Sequence, residues 1–427
     1  PLMAAMALGV FAVQWVGLIH ARLFETEHYF DLVGSLTYVT VTIFAIQQAV
    51  DFGLRQQLIA GAVVIWAVRL GPFLFMRIKK AGEDQRFRKI KLGYYSFIVL
   101  GLMLSLLSVA ELLVNSRALA VQYEGALYFP TYTDFHPGTD FGLNYTYETN
   151  YRDLAKHFND TDSSNWVLMP LVPYNPYEND ATDSIMRPEA PNAARQHYLG
   201  TDTTSRDILA RLVYGTRTAL LFAFAFMVSV YLIGIMIGCA MGYFGGLFDL
   251  GFQRIIEIWS NIPFLYMVII VFSVIPAEAS IPARITLLLL VMVLFSWTSM
   301  TYYMRTETYK EKSRDYVAAA RIIGASTQRI IFTHILPNVL STLVTFMPFT
   351  IVSAIAAITA LDFLGFGLPV PTPSLGELLK QGTANLRTAP WIVTAAFGTL
   401  VLILSLVTFI GEAIRESFDP KQFTLYR

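Results

Sequence analysis

The sequence predicts an all-α polytopic membrane protein, and two observations carry that class. Of 427 residues, 55% are hydrophobic and only 15% charged, whereas soluble domains run about 45–50% apolar and about 25% charged. The apolar residues also gather into runs near 2–19, 32–50, 54–76, 94–114, 218–241, 258–275, 284–304, 338–361 and 391–411. Each approaches the roughly 20 residues a helix needs to cross a bilayer core.

Basic segments orient these spans. Residues 77–91 are short and strongly cationic, which places them in the cytoplasm by the positive-inside rule. The segment Arg305 to Arg329, with Lys310, Lys312, Arg314 and Arg321, carries the same sign. From Leu92 onward the two anchors fit six spans with both ends inside. Residues 115–215 then lie outside, with shorter outer loops near 276–283 and 362–390. The 115–215 stretch is rich in Tyr, Asn, Asp and Pro and shows little helical periodicity before about residue 198, so it reads as an irregular folded domain. The chain opens at Pro1 inside an apolar run without a basic segment before it, which argues against a signal peptide and for a missing true N-terminus.

Composition excludes several functions. The net charge is zero, so no global field draws the chain to nucleic acid. Cys239 lies in an apolar run, where a thiol acts as a small buried hydrophobe. The six histidines lack metal-ligand spacing and no cysteine pair accompanies them, so no metal site is expected. A GxxxxGK[ST] phosphate loop is also absent, and ATP, if it drives this protein, must be bound by another subunit.

The cytoplasmic stretch from Asp315 to Pro337 reads as two short helices. Asp315 can cap the first, where a carboxylate satisfies free N–H groups, and Arg321 sits in its last turn. Gly324 supplies a left-handed C-terminal cap. Ser326 can cap the second helix, which must end or kink around Pro337, because proline lacks an N–H and clashes with the turn before it. Tyr316, Ile322, Ile323, Ile330, Ile331 and Phe332 give this elbow more apolar surface than a solvated linker needs. The residues alone leave open a docking surface or an amphipathic pair lying on lipid headgroups.

This segment resembles the "EAA" loop of binding-protein-dependent ABC importer permeases, matching Ala319, Ala320, Gly324, Leu336 and Pro337 at the family's spacing. Arg329 falls within the same loop, and Ala318 stands where the family has its glutamate. A second block, Leu199 to Arg217, resembles the LGTDxxGRDxxSRxxxGxR pattern through Gly200, Thr201, Asp202, Arg206, Asp207, Arg211, Gly215 and Arg217, with Ser205 and Ala210 departing from it. Read physically, Asp202 can cap a helix whose Ile208, Leu209, Leu212 and Val213 form one apolar face, with Asp207 and Arg211 an i,i+4 pair. A third block resembles FLGxGxPxPxPSxGxxL…APW through Gly365, Gly367, Pro371, Pro373, Ser374, Gly376 and Ala389-Pro390-Trp391. From composition it is equally a re-entrant gate or a plain loop.

Together these blocks resemble the C-type permease of oligopeptide and dipeptide importers over about residues 92–420, in the branch taking up oligopeptides and microcin-like peptides. The resemblance implies a type I ABC importer permease fold of six transmembrane helices with an irregular extracytoplasmic insert. It implies a transport subunit rather than an enzyme, multi-pass in the bacterial cytoplasmic (inner) membrane. Its partners would be a second permease subunit, two ATPase subunits that bind the ATP, and an extracytoplasmic peptide-binding protein. No cofactor would sit in this chain.

Residues 1–91 differ. Asp31 to Tyr38, Leu54-Arg-Gln-Gln, Trp66 to Gly71 and Arg77 to Phe87 resemble the N-terminal half of steroid five-alpha-reductase-like membrane proteins. They add three N-terminal transmembrane helices. Such a reductase needs a cofactor-binding C-terminal half, which permease sequence replaces here, so the alternative is a chimera whose N-terminus is inactive. Arg69 inside an apolar span needs a partner, and Asp51 is the nearest acid. The expected division is 1–91, the first permease helix 92–114, the insert 115–215, and a core 216–427 with its coupling loop at about 306–337.

Overall fold

The computed structural model describes residues 30–47, 57, 60–67, 69, 85–133, 135–161, 164–181, 188–274 and 279–418. The expected span at 2–19, parts of those at 32–50 and 54–76, Asp51 and residues 77–84 lie outside that set. The chain divides into two compact units, 1–92 and 93–427. In the first, helix α1 (Phe30–Gln47) and a helical segment over 60–67 are described. The rings of Tyr38 and Trp66 meet edge to face at 5.5 Å, and Arg69 is exposed.

Among the described residues, five helices are long and apolar enough to cross a membrane. They are Arg88–Ser108 within α2 (Gln85–Ser108), α5 (Ile208–Phe244), α8 (Ile281–Lys312), Thr342–Leu364 within α11 (Leu336–Leu364), and α13 (Pro390–Phe418). The pair α6 (Gly246–Ser260) and α7 (Phe264–Val274) is apolar enough to add a sixth span when taken together, and it is bent by 73°, as a broken span or a re-entrant loop would be. The expected single helix at 258–275 is therefore broken. Pro263 lies in the break, where its missing N–H and ring disfavour continuation of the helix. The first permease helix also stops short of 114: α2 ends at Ser108 and a single turn, α3 (Ala110–Leu113), follows.

The core of the second unit forms where α5, α8, α11 and α13 pack, around Met227, Tyr231, Leu288, Met304, Leu343, Ile355 and Ile403. Gly234, Gly238 and Gly242 recur every fourth residue of α5 and receive Met300, Met304 and Thr308 of α8. Small residues at that spacing let two membrane helices approach closely. The helix expected after Asp202 is the start of α5, which begins at Ile208 and runs unbroken for 37 residues. Its first apolar residues face two ways. Ile208 and Leu212 join the main core, while Leu209 and Val213 pack with Val114, Val172 and Tyr174.

The insert carries a three-stranded antiparallel sheet in the order β2-β1-β3, with β1 Ala120–Tyr123, β2 Ala126–Tyr128 and β3 Trp166–Leu168. Val121 opposes Tyr128 and Val167, and this row packs with Phe141, Leu154 and Phe158. The last two lie on α4 (Tyr151–Asp160), whose N-cap Asn150 accepts hydrogen bonds from the backbone N–H groups of Arg152 and Asp153. A polar stretch conceals this helix because only Tyr151, Leu154 and Phe158 of its ten residues are buried.

Candidate functional site

Two regions gather the residues singled out in the sequence. The first is the elbow between α8 and α11. Helix α9 (Asp315–Ile322) starts from Arg314 as its N-cap, with Asp315 in the first turn. Asp315 therefore suits the positive helix end but does not cap it. Gly324 closes the helix at φ +86°, a conformation open to glycine. Its N–H donates to the Arg321 carbonyl, and that of Ala325 to the Ala320 carbonyl, the bond pair of a Schellman cap. Ser326 caps α10 (Thr327–Arg329), accepting from the Arg329 N–H at 3.4 Å.

The helical path does not stop at Pro337, although it changes from α to π form just before it. A π-helical turn, Ile330–Ile335, continues directly into α11, and Pro337 lies in the first turn of that helix. The helix does not end because a π turn can be inserted within a helix ahead of the residue that lacks an N–H. Ile330, Ile335 and Val339 are buried along this run. Ala320 is buried, Leu336 half-buried, and Ala318, Ala319, Arg329 and Pro337 are exposed. Ile322 and Ile323 project at the turn with 87% and 85% of their surfaces exposed.

The second region joins the 199–217 and 365–391 blocks. Asp207, not Asp202, is the N-cap of α5, accepting from the Ala210 N–H at 2.7 Å. Asp202 holds the preceding turn, accepting from the N–H groups of Thr204 and Arg206, and pairs with the Arg206 side chain at 2.8 Å. Arg211, fully buried, lies 3.5 Å from Asp202, pairs with Glu377, and donates to the Pro176 carbonyl. Arg206 reaches Glu377 too, at 2.9 Å. The expected Asp207–Arg211 pair does not form: Asp207 instead bonds His197 at 2.8 Å.

The remaining block residues build the frame. Helix α12 (Leu375–Ala384) starts from Ser374, which accepts from the Glu377 N–H at 3.1 Å. Gly376 lies so close against the Thr359 carbonyl that a Cβ there would collide with it. Gly367 lies against Asp362, whose carboxylate accepts from the Leu368 N–H. Gly365 ends α11 in the left-handed region, Pro373 is buried beside Gly215, and Pro371 is exposed. Trp391 stands against Gly200 and donates to the Thr201 carbonyl at 3.3 Å. Arg217 pairs with Glu111 at 2.6 Å.

His197 extends this cluster into the insert. Its two ring nitrogens meet Asp207 at 2.8 Å and Asp180 at 3.3 Å, and its ring stacks on Tyr174 at 4.0 Å. Burial works against its charge, but the bonds to Asp180 and Asp207 prevail and hold its pKa above the ordinary imidazole value. The His197 hydrogen bond in turn leads the effects that bring Asp180 down to about 2, with Arg152 and Arg195 adding to it against the cost of burial.

Comparison with known proteins resolves the family. Residues 234–423 match the binding-protein-dependent transport system inner membrane component family. The inner membrane ABC transporter permease protein YejE of Escherichia coli K12 is 38% identical, over 79% of this chain and 96% of its own. The peptidoglycan transport system permease protein YejE of Agrobacterium fabrum is 34% identical over 79% and 92%. The dipeptide transport system permease protein DppC of Haemophilus influenzae is 36% identical over 60% and 85%. The chain belongs to this permease family.

It is a multi-pass inner-membrane permease of the peptide-importer type. Residues 17–126 match a second family, described as a protein of unknown function, DUF1295. That match runs past Lys91 into the insert. In the permease, the ion-pair cluster depends on residues that sequence reasoning did not single out. Glu377 stands at a variable place in its block, yet it neutralises two buried arginines. His197, Asp180, Glu189 and Arg195 form the adjoining network. The available signal was an excess of arginine over acid within 199–217.

Proposed function

We propose that this permease moves peptides or peptide-like compounds inward across the membrane, coupled to partner ATPase subunits through the elbow Asp315–Pro337. The observation that carries the reading is the exposed pair Ile322–Ile323 at a turn fixed by Gly324. Two largely exposed isoleucines on a non-spanning elbow favour burial against another protein. A second permease subunit would complete the pathway, two ATPase subunits would bind ATP, and an extracytoplasmic binding protein would deliver substrate. This chain itself would perform no covalent chemistry and bind no cofactor. The relatives named for dipeptide and peptidoglycan transport share a substrate chemistry of amide-linked units.

ATP binding would close the ATPase pair, move the docked elbow and shift the helices between inward-facing and outward-facing states. Such a shift needs only different contacts in the two states. The test is uptake of labelled dipeptides, oligopeptides and muropeptides by the complete complex in proteoliposomes, with and without Gly324→Val. Valine at φ +86° meets a left-handed penalty of about 1–2 kcal/mol or more. The variant is expected to lose uptake and peptide-stimulated ATPase activity. Normal values for both would overturn the docking role.

The division into units 1–92 and 93–427, and a relative matched over 96% of its own length by only 79% of this chain, support a second proposal. Residues 1–91 contribute nothing to transport. The six-span permease begins at Leu92, with its insert at 115–215 and its core at 216–427.

A further inference from the structure

Between the elbow and the bent pair α6–α7 runs a line of cations and aromatic rings. Arg321, in the last turn of α9, lies over the ring of Tyr243 at 5.2 Å. Lys312, the last residue of α8, approaches the same ring at 5.6 Å and donates to the Tyr243 carbonyl. It also faces Tyr309 at 5.9 Å, and Arg305 covers that ring at 5.0 Å. The line ends on Asp249 of α6, buried, which accepts from Arg305 and from the Tyr309 hydroxyl at 3.1 Å. Of the three cations only Arg305 meets the carboxylate, while Lys312 and Arg321 stand on the rings that precede it. The arrangement holds because ring faces attract cations, and because Tyr243 lies in the last turn of α5, where the helix end favours positive charge.

We infer that Tyr243 and Tyr309 are positioning residues that transmit displacement of the elbow to α6. Arg321 gives α9 a charged contact with the end of α5, Lys312 ties that end to α8, and Asp249 ties α8 to α6. Helix α6 then leads into the 73° bend. Movement of α9 must carry Tyr243 and Lys312 with it or break these contacts. The line therefore offers the elbow a route to the bend. The inference rests on the proposal that the elbow docks on ATPase subunits.

Tyr243→Leu keeps an apolar side chain but removes the ring, Tyr243→Phe keeps the ring, and Arg321→Gln removes only an exposed cation. The assay is the ratio of peptide-stimulated to basal ATPase activity of the complete complex in nanodiscs, with subunit co-purification checked for each variant. Tyr243→Leu and Arg321→Gln should each lower the ratio about fivefold, the low end of inter-site coupling. Tyr243→Phe should keep it, and the Arg321→Gln/Tyr243→Leu double variant should be no worse than either single change. A normal ratio in Tyr243→Leu, a loss in Tyr243→Phe, or multiplying losses in the double variant would overturn the inference. Gly324→Val separates the two readings. If it abolishes stimulation while Tyr243→Leu does not, the transmission role alone fails; if neither has an effect, docking fails as well.

Discussion

Replacing Glu377 by glutamine probes the ion-pair cluster that binds the 199–217 block to the 365–391 block. Glu377 meets Arg206 and Arg211, and its side chain keeps 21% of its exposure while that of Arg211 keeps none. In the Glu377→Gln variant, two buried guanidinium groups share one carboxylate, that of Asp202. Breaking a buried pair by removing one partner costs about 3–5 kcal/mol, and the partial exposure of Glu377 favours the lower value. About 3 kcal/mol is more than a hundredfold in the equilibrium. The assay is thermal unfolding of the purified permease, with trypsin cleavage in the insert as the local readout. Adding Arg211→Met removes the unpaired charge and should restore part of the loss, since residues in one network are not additive. Additive losses in the double variant, or Glu377→Gln unfolding like the unaltered chain, would refute the reasoning.

The acid-base pair beside this cluster predicts a pH dependence. The raised pKa of His197 contributes stability that is complete below 6.5 and lost as pH rises through the folded-state value. Asp180 contributes above 3.8, and that part is lost as pH falls toward about 2. Protease resistance of the insert should therefore be greatest between these limits and decline on the alkaline side, with His197→Gln flattening the alkaline decline; an unaltered profile in that variant would contradict the assignment. A chain starting with Met before Leu92 should assemble and support peptide uptake as the full chain does, and normal assembly without transport would show that residues 1–91 function. A cysteine placed at Lys310 should resist impermeant reagents added outside intact cells, and labelling there would refute the six-span topology.

Local chemistry makes the elbow legible, and long-range partners hide the ion-pair cluster. Gly324 and Ser326 cap through bonds to residues three to five positions away, so the turn can be read from the chain. Asp315 is not the cap that its side chain suggests, because the Arg314 backbone takes that position. Pro337 has the chemistry of a stop, yet burial of Ile330, Ile335 and Val339 carries a helical path through it. Apolar runs locate the spans, but a proline inside one does not by itself decide a bend: Pro263 lies in the break, whereas Pro348 lies within the unbroken α11. The spacing of Asp207 and Arg211 puts both on one helical face and suggests a pair. The partner that Arg211 takes instead, Glu377, is 166 residues later, beyond reach of any local pattern. The sheet escapes notice because strands of three or four residues are too short for alternation to be read.

The central claim is that the elbow is the contact with the ATPase subunits, and crosslinking at its tip tests it most directly. Single cysteines at Ile322 and Ile323, whose side chains stand free at the turn, would carry a short photoactivatable crosslinker in membranes of cells expressing the whole complex. The predicted result is a covalent product containing this permease and an ATPase subunit, weakened when nucleotide changes the state of the complex. Crosslinks to lipid alone, with the complex intact and the ATPase subunit unlabelled from both positions, would contradict it.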